Sequence, residues 1–217
     1  MNYYLLDYRG ALIGKSGESI GSEYSLTNAC SECGTGAKYI GNFKFKSDSK
    51  NKNFYVTLDG DYIISDEIYI ALLQADCKIK FAETETKRGK KLPYWHMTSE
   101  AEFPSVDFSP SLRVEPLWQC PVCKKNGWIG SNLRENGKTY ILPFLFSYKE
   151  VSQQLLNKSD IFITWERFGK SSIKVEGIFG IRFARPILIV SEKVKNVLAS
   201  YSKFLDFEKI EILSIRK

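Results

Sequence analysis

The chain has 217 residues, 43% of them apolar, and a formal net charge of +6. That length supports a full hydrophobic core in one large or two small domains, and no run of about 18 apolar residues offers a transmembrane helix. The opening Met1-Asn2-Tyr3-Tyr4-Leu5-Leu6-Asp7 lacks a basic start and breaks its apolar run at Asp7, so the expectation is no signal peptide, no membrane and a cytoplasmic location.

Tyr3 to Tyr8 reads as a strand at the edge of a first unit. Gly10, Gly14, Gly17 and Gly21 then mark a loose segment. Phe43-Lys44-Phe45-Lys46 alternates, aromatics inward, as a half-buried strand does. Phe54 to Leu58 is another strand, joined through an Asp59-Gly60 turn to Tyr62 to Ile64. Ser65 is the expected N-cap of a helix: Asp66 and Glu67 oppose its dipole, and Ile68, Ala71, Leu72 and Ala75 share one face. Lys78 to Phe81 alternates like a strand. Leu92 to Pro116 carries four prolines (93, 104, 110 and 116) and reads as an extended surface connector.

A further helix is expected over Tyr148 to Asn157, with capping-box spacing between Ser147 and Glu150 and with Val151 and Leu155 inward. Asp160 to Trp165 reads as a strand, and Ser172 to Phe183 as β-structure broken by Gly177 and Gly180. Pro186 to Val190 is a strand. Ser191 caps the next helix, with Val194, Val197, Leu198 and Tyr201 on its apolar face, and Phe207 and Ile210 to Leu213 follow as strand. The expected class is α+β: mixed β-sheets with three or four short helices, in an N-terminal unit 1–116 and a C-terminal unit 117–217. Ile64-Ser65-Asp66-Glu67-Ile68 and Val190-Ser191-Glu192-Lys193-Val194 match in polarity at all but one position, which suggests a duplicated strand–cap–helix–strand unit.

Chemistry concentrates in two CxxC pairs, Cys30-Ser31-Glu32-Cys33 and Cys120-Pro121-Val122-Cys123. In a reducing compartment such pairs read as metal ligands. Cys30, Cys33, Cys120 and Cys123 together suit a tetrahedral, structural Zn2+ that staples the start of the chain to its middle. Gly34 fits the tight turn after the first pair, and Lys124 holds the equivalent place after the second. Trp118 and Trp128 flank the second pair and are expected to shield the ion. Cys77 reads as a buried free thiol. The one histidine, His96, reads as packed or surface, and Asp59/Asp61 and Glu83/Glu85 as surface charge. A closed four-sulfur site does not activate water. The chain also carries no nucleophile elbow, P-loop, dinucleotide fingerprint or zinc-protease helix. The expectation is therefore no enzyme and no catalytic residue.

Two basic runs stand out: Lys44, Lys46, Lys50 and Lys52, and Lys87, Arg88, Lys90 and Lys91. They read first as solvated turns and second as an electrostatic surface. Trp165-Glu166-Arg167-Phe168-Gly169 supplies residue types common at interfaces; Trp165 reads first as core, with Glu166 and Arg167 as a surface pair, and second as an interface anchor.

With the cysteine pairs, the run Ile187 to Val194 and the late strand Phe207 to Leu213, the chain resembles bacterial immunity proteins of polymorphic toxin systems, the double-CxxCG type and its relatives. Lys124 in place of a second glycine is its departure from that pattern. The resemblance implies tight binding to a cognate toxin protein in the cytoplasm, by occlusion rather than turnover. Tyr148, Trp165, Arg167 and Phe168 are the first candidates for partner-binding anchors. A monomer or dimer is expected. The rival readings are a zinc-ribbon nucleic-acid binder, disfavoured by the dispersed charge, and a non-catalytic protein-binding adaptor.

Overall fold

Alternation along short strands sets the faces of one mixed and one antiparallel sheet and, through them, three cores. The computed structural model describes residues 2–47, 52–107, 113–130, 132–135, 138–141, 144–171 and 183–216, with backbone alone at 132–141. Pro110, Lys50 and all of the expected 172–183 segment except Phe183 lie outside these residues.

The first half contains β1 (Tyr3–Tyr8), β2 (Lys15–Ser16), a 3-10 turn (Gly17–Ile20), β3 (Tyr24–Ser25), β4 (Lys38–Tyr39), β5 (Phe43–Lys46), β6 (Phe54–Val56), β7 (Tyr62–Ser65), α1 (Asp66–Gln74), β8 (Ala82–Glu85) and β9 (Lys91–Met97). The second contains β10 (Val114–Pro116), β11 (Asn126–Gly130), β12 (Asn132–Glu135), β13 (Lys138–Ile141), β14 (Ser147–Ser152), α2 (Gln153–Leu156), β15 (Ile161–Ile163), β16 (Arg167–Phe168), β17 (Leu188–Ser191), α3 (Glu192–Ala199), β18 (Leu205–Lys209) and β19 (Glu211–Arg216). The class is α+β. A six-stranded sheet runs β2-β5-β8-β9-β7-β6, a four-stranded sheet runs β15-β17-β1-β18, and β10-β11-β16 form a smaller third.

The duplication suggested by the serine caps extends to topology. The ladder β6-β7-β9-β8 is antiparallel at each step, and so is β15-β17-β1-β18. In each, the second strand runs into a helix through a serine. Ser65 Oγ accepts the Ile68 N–H and Ser191 Oγ the Val194 N–H, which satisfies one orphan donor of each first turn. The strand after each helix, β8 or β18, takes the fourth place. The third place is filled by β9 in one sheet and by β1, from the far end of the chain, in the other. Tyr3–Tyr8 is therefore an inner strand rather than an edge, and the four-stranded sheet draws on both sides of the 116/117 division. A third serine junction, with Ser152 Oγ accepting the Leu155 N–H, opens α2.

Period-2 faces account for the cores. Tyr4 and Leu6 of β1 join Ile64, Leu188 and Val190 in a central core that also takes Ile68 and Leu72 of α1 and Val194 and Leu198 of α3. Tyr3 and Leu5 face the other way, into a second core with Phe103, Tyr148, Phe162 and Ile189. Phe43, Phe45, Tyr55 and Ile63 form a third core on the outer face of the six-stranded sheet.

Three expectations are corrected. The helix expected over Tyr148 to Asn157 is confined to α2 in its second half: up to Ser152 the segment is β14, paired in parallel with β19, which overrides local helix spacing, and the cap is Ser152 rather than Ser147. Lys78 to Phe81 is not a strand, because Asp160 takes the Lys78 N–H on its carboxylate at 2.7 Å and donates its own N–H to the Lys78 carbonyl. The connector begins as β9, an inner strand. Its Pro93 sits where the β8–β9 register shifts, so the missing N–H interrupts no regular rung.

Candidate metal centre

Each CxxC pair closes a tight turn. The Gly34 N–H donates to the Cys30 carbonyl at 2.8 Å, and the Lys124 N–H to the Cys120 carbonyl at 3.1 Å. The residue after each pair is left-handed, with φ +71° at Gly34 and +60° at Lys124. The second knuckle thus keeps the glycine conformation without the glycine. Exchanging Lys124→Gly relieves a backbone cost that an L-residue bears there, and about 0.5–1 kcal/mol of added stability is expected, read as a higher urea midpoint of metal-loaded protein. A lower midpoint would mean that the lysine side chain contributes more than its backbone costs.

The knuckles are anchored from outside. The Cys30 N–H donates to the Thr35 carbonyl at 2.9 Å, and the Cys120 N–H to Asn126 Oδ1 at 2.8 Å. Gly127, at φ +86°, lets the Trp118 backbone approach so closely that a Cβ would lie 2.1 Å from its carbonyl carbon. β16 then fastens the second knuckle to the fold: the Arg167 N–H donates to the Lys125 carbonyl at 2.7 Å and the Gly169 N–H to the Trp128 carbonyl at 3.0 Å.

The four sulfurs, 90 residues apart between pairs, converge. Cys30 Sγ is 3.8 Å from Cys120 Sγ, Cys33 Sγ is 3.5 Å from Cys123 Sγ, and all four lie within 4.8 Å of one another. Metal–sulfur bonds of roughly 2.3 Å in a tetrahedron require sulfur–sulfur edges of about 3.8 Å. The cysteines are positioned to hold a metal ion, and four thiolates fill a tetrahedral ion's coordination. The thiols are inequivalent. Burial acts to raise Cys30, but the backbone N–H groups of Cys33 and Glu32 and the neighbouring sulfurs outweigh it and bring the thiol to about 7. Burial pushes Cys33 up to about 12.

Cations stand beside the sulfurs. Arg167 is buried, ion-paired to Glu102, and close enough to feel the Cys123 charge. Lys125 reaches the other Glu102 oxygen at 2.6 Å and lies over the Trp165 ring. Trp128 is buried, whereas Trp118 is 48% exposed, so only one of the two tryptophans is enclosed. Cys77 is a buried free thiol, as expected.

The proposed anchors are placed differently. Tyr148 is fully buried and Arg167 is 7% exposed, so neither presents a face to a partner. Trp165 and Phe168 are half-buried, Phe168 against the second core. The Trp165–Gly169 segment builds the wall behind the second knuckle. Its Glu166 is buried and takes the Val106 N–H at 3.0 Å and the Ser105 hydroxyl at 3.1 Å.

A second polar cluster was not legible as a unit. Asp61, expected on the surface, is 6% exposed. Its carboxylate faces Arg185 Nε at 3.0 Å and His96 Nε2 at 3.5 Å and accepts from Ser16 Oγ at 2.8 Å. Arg185 also pairs with Glu18 at 2.8 Å. Burial acts to raise the Asp61 carboxyl, but Arg185, His96 and Ser16 outweigh it and hold it far below the usual carboxylate range. Ser16 and His96 both address Asp61, and Ser16 is fully buried. Its neighbours Thr57 and Asp59 hold the same loop.

No protein-family model matches the chain, and no curated protein or solved structure is detectably similar to it.

Proposed function

We propose that this chain is an immunity-type binding protein, in which a structural zinc ion rigidifies a surface that docks on and occludes a toxin in the cytoplasm. The observation that carries the reading is the closed four-sulfur cluster: two knuckles of the same backbone shape, one near the start of the chain and one in its middle, converging on one point. The left-handed Lys124 reduces the weight of the one departure from the double-knuckle pattern, since the turn survives the missing glycine.

A rigid knuckle is also a good place for an anchor. Leu117, Trp118 and Val122, on the second knuckle and its approach, are 54%, 48% and 63% exposed. Exposed tryptophan with apolar neighbours is the side-chain chemistry of interface hot spots, and these residues replace Tyr148 and Arg167 as the expected contact.

The test is to search the neighbouring genes for a toxin domain and co-express the chain with it. Growth rescue and a stable complex of the two purified proteins are expected, and Trp118→Ala should weaken the complex about 30-fold, the effect of losing a hot spot of about 2 kcal/mol. A toxin that kills equally with and without the chain would remove the immunity reading.

A further inference from the structure

Lys46 of the first basic run meets Lys87, Arg88 and Lys90 of the second in space. β5 and β8 are parallel neighbours, with Lys44 opposite Glu85. Lys46 and Ser47, at the end of one, therefore reach the turn Thr86–Lys90 at the end of the other. Between them lies a pocket of about 610 Å³. Its floor includes Phe45, Leu92 and Tyr94, and its rim is Lys46, Lys87, Arg88 and Lys90. Among the described residues, no carboxylate lines it. The acids of the adjacent strand are engaged elsewhere: Glu83 pairs with Lys91 at 2.6 Å, and Glu85 accepts from Asn42 at 3.3 Å.

The repeat gives this opening its context. On the four-stranded sheet, the face away from the helices is covered: Tyr3, Leu5, Phe162 and Ile189 are buried beneath Phe103, Phe146 and Tyr148. On the six-stranded sheet, the equivalent face leaves Leu92 and Tyr94 only partly buried. Apolar area stays in contact with water there, within a ring of positive charge.

We propose that this pocket binds a small anion carrying an apolar or aromatic body. The body rests on Phe45, Leu92 and Tyr94 and removes their surface from water. The anionic head meets four cations at the mouth, where an apolar wall focuses their field. The volume falls within the roughly 300–1,000 Å³ typical of small-molecule sites, and an apolar lining with a few polar groups at one side is their usual chemistry. The proposal is independent of the immunity reading.

The probe is 1-naphthyl phosphate, titrated into the full chain and followed by amide chemical shifts. Saturable shifts confined to residues 45–47 and 86–94 are expected. 1-Naphthol and inorganic phosphate, each supplying one half of the ligand, should bind at least about tenfold more weakly, as should the variant Lys87→Glu/Arg88→Glu/Lys90→Glu. These three side chains are exposed, so the variant should keep its amide spectrum away from the turn. Equal affinity in the variant, or shifts spread over the molecule, would overturn the proposal. So would tighter binding of a short oligothymidine or an acidic peptide at the same residues, which would make the rim a macromolecular surface.

Discussion

Replacing Cys120→Ser, or stripping the ion with a chelator under reducing conditions, is expected to cost about 4–5 kcal/mol. The sulfurs that converge are 90 residues apart. A covalent cross-link closing a loop near that length removes about 4.5 kcal/mol of unfolded-chain entropy in the loop-closure model, and a tight ion acts as such a cross-link for as long as it stays bound. Whole domains of this size are stable by only about 5–15 kcal/mol, so the change should lower the melting temperature by about 10 °C or more. Metal analysis of the wild type should find one ion per chain, and the serine variant should lose most of it. A wild type that binds no metal when fully reduced, or a variant that melts at the wild-type temperature, would refute the staple. Acid should release the ion as well, because protons compete for the thiolates.

The second large effect is expected at Asp61. Asp61→Ala leaves Arg185, His96 and Ser16 facing a gap in a closed site, with Glu18 as the remaining carboxylate on Arg185. Breaking a buried ion pair by removing one partner costs about 3–5 kcal/mol. The pH dependence follows from the depressed carboxyl. Its contribution is complete above the ordinary aspartate value of about 3.9 and is lost as the pH falls below that, towards the lower folded value. Urea midpoints of wild type and variant should therefore differ clearly at pH 5 and converge as the pH falls below about 4. A gap that widens below about pH 4 would show that Asp61 is not held as a carboxylate.

Local chemistry was legible where one segment determines its own structure. Ser65 and Ser191 cap the helices placed after them, Phe43 and Phe45 turn inward, and both cysteine pairs enter the cluster expected of them. Misreadings arose where a distant partner decides. Ser147 to Ser152 has helical spacing, but β19, more than sixty residues on, supplies a parallel ladder. Pro93 suggests a connector, but the bulge between Glu83 and Glu85 admits it to an inner strand. Asp61 looks solvated beside Gly60, and distant partners, chiefly Arg185, 124 positions away, make its burial tolerable. Arg167 and Tyr148 carry interface chemistry, yet Glu102 and the second core claim them first.

The place of Tyr3–Tyr8 bears on how the protein is made. The segment leaves the ribosome well before its sheet neighbours, Leu188–Ser191 and Leu205–Lys209. At 5–20 residues per second, it waits about 10–40 s, with Tyr4 and Leu6 unburied, before either neighbour exists. The strand–helix unit around α1 meets no such delay, because β6, β7, β8 and β9 all lie between residues 54 and 97. Nascent chains should thus carry one finished unit and one sticky unpaired strand, and a stop codon before residue 188 would leave that strand permanently unmatched.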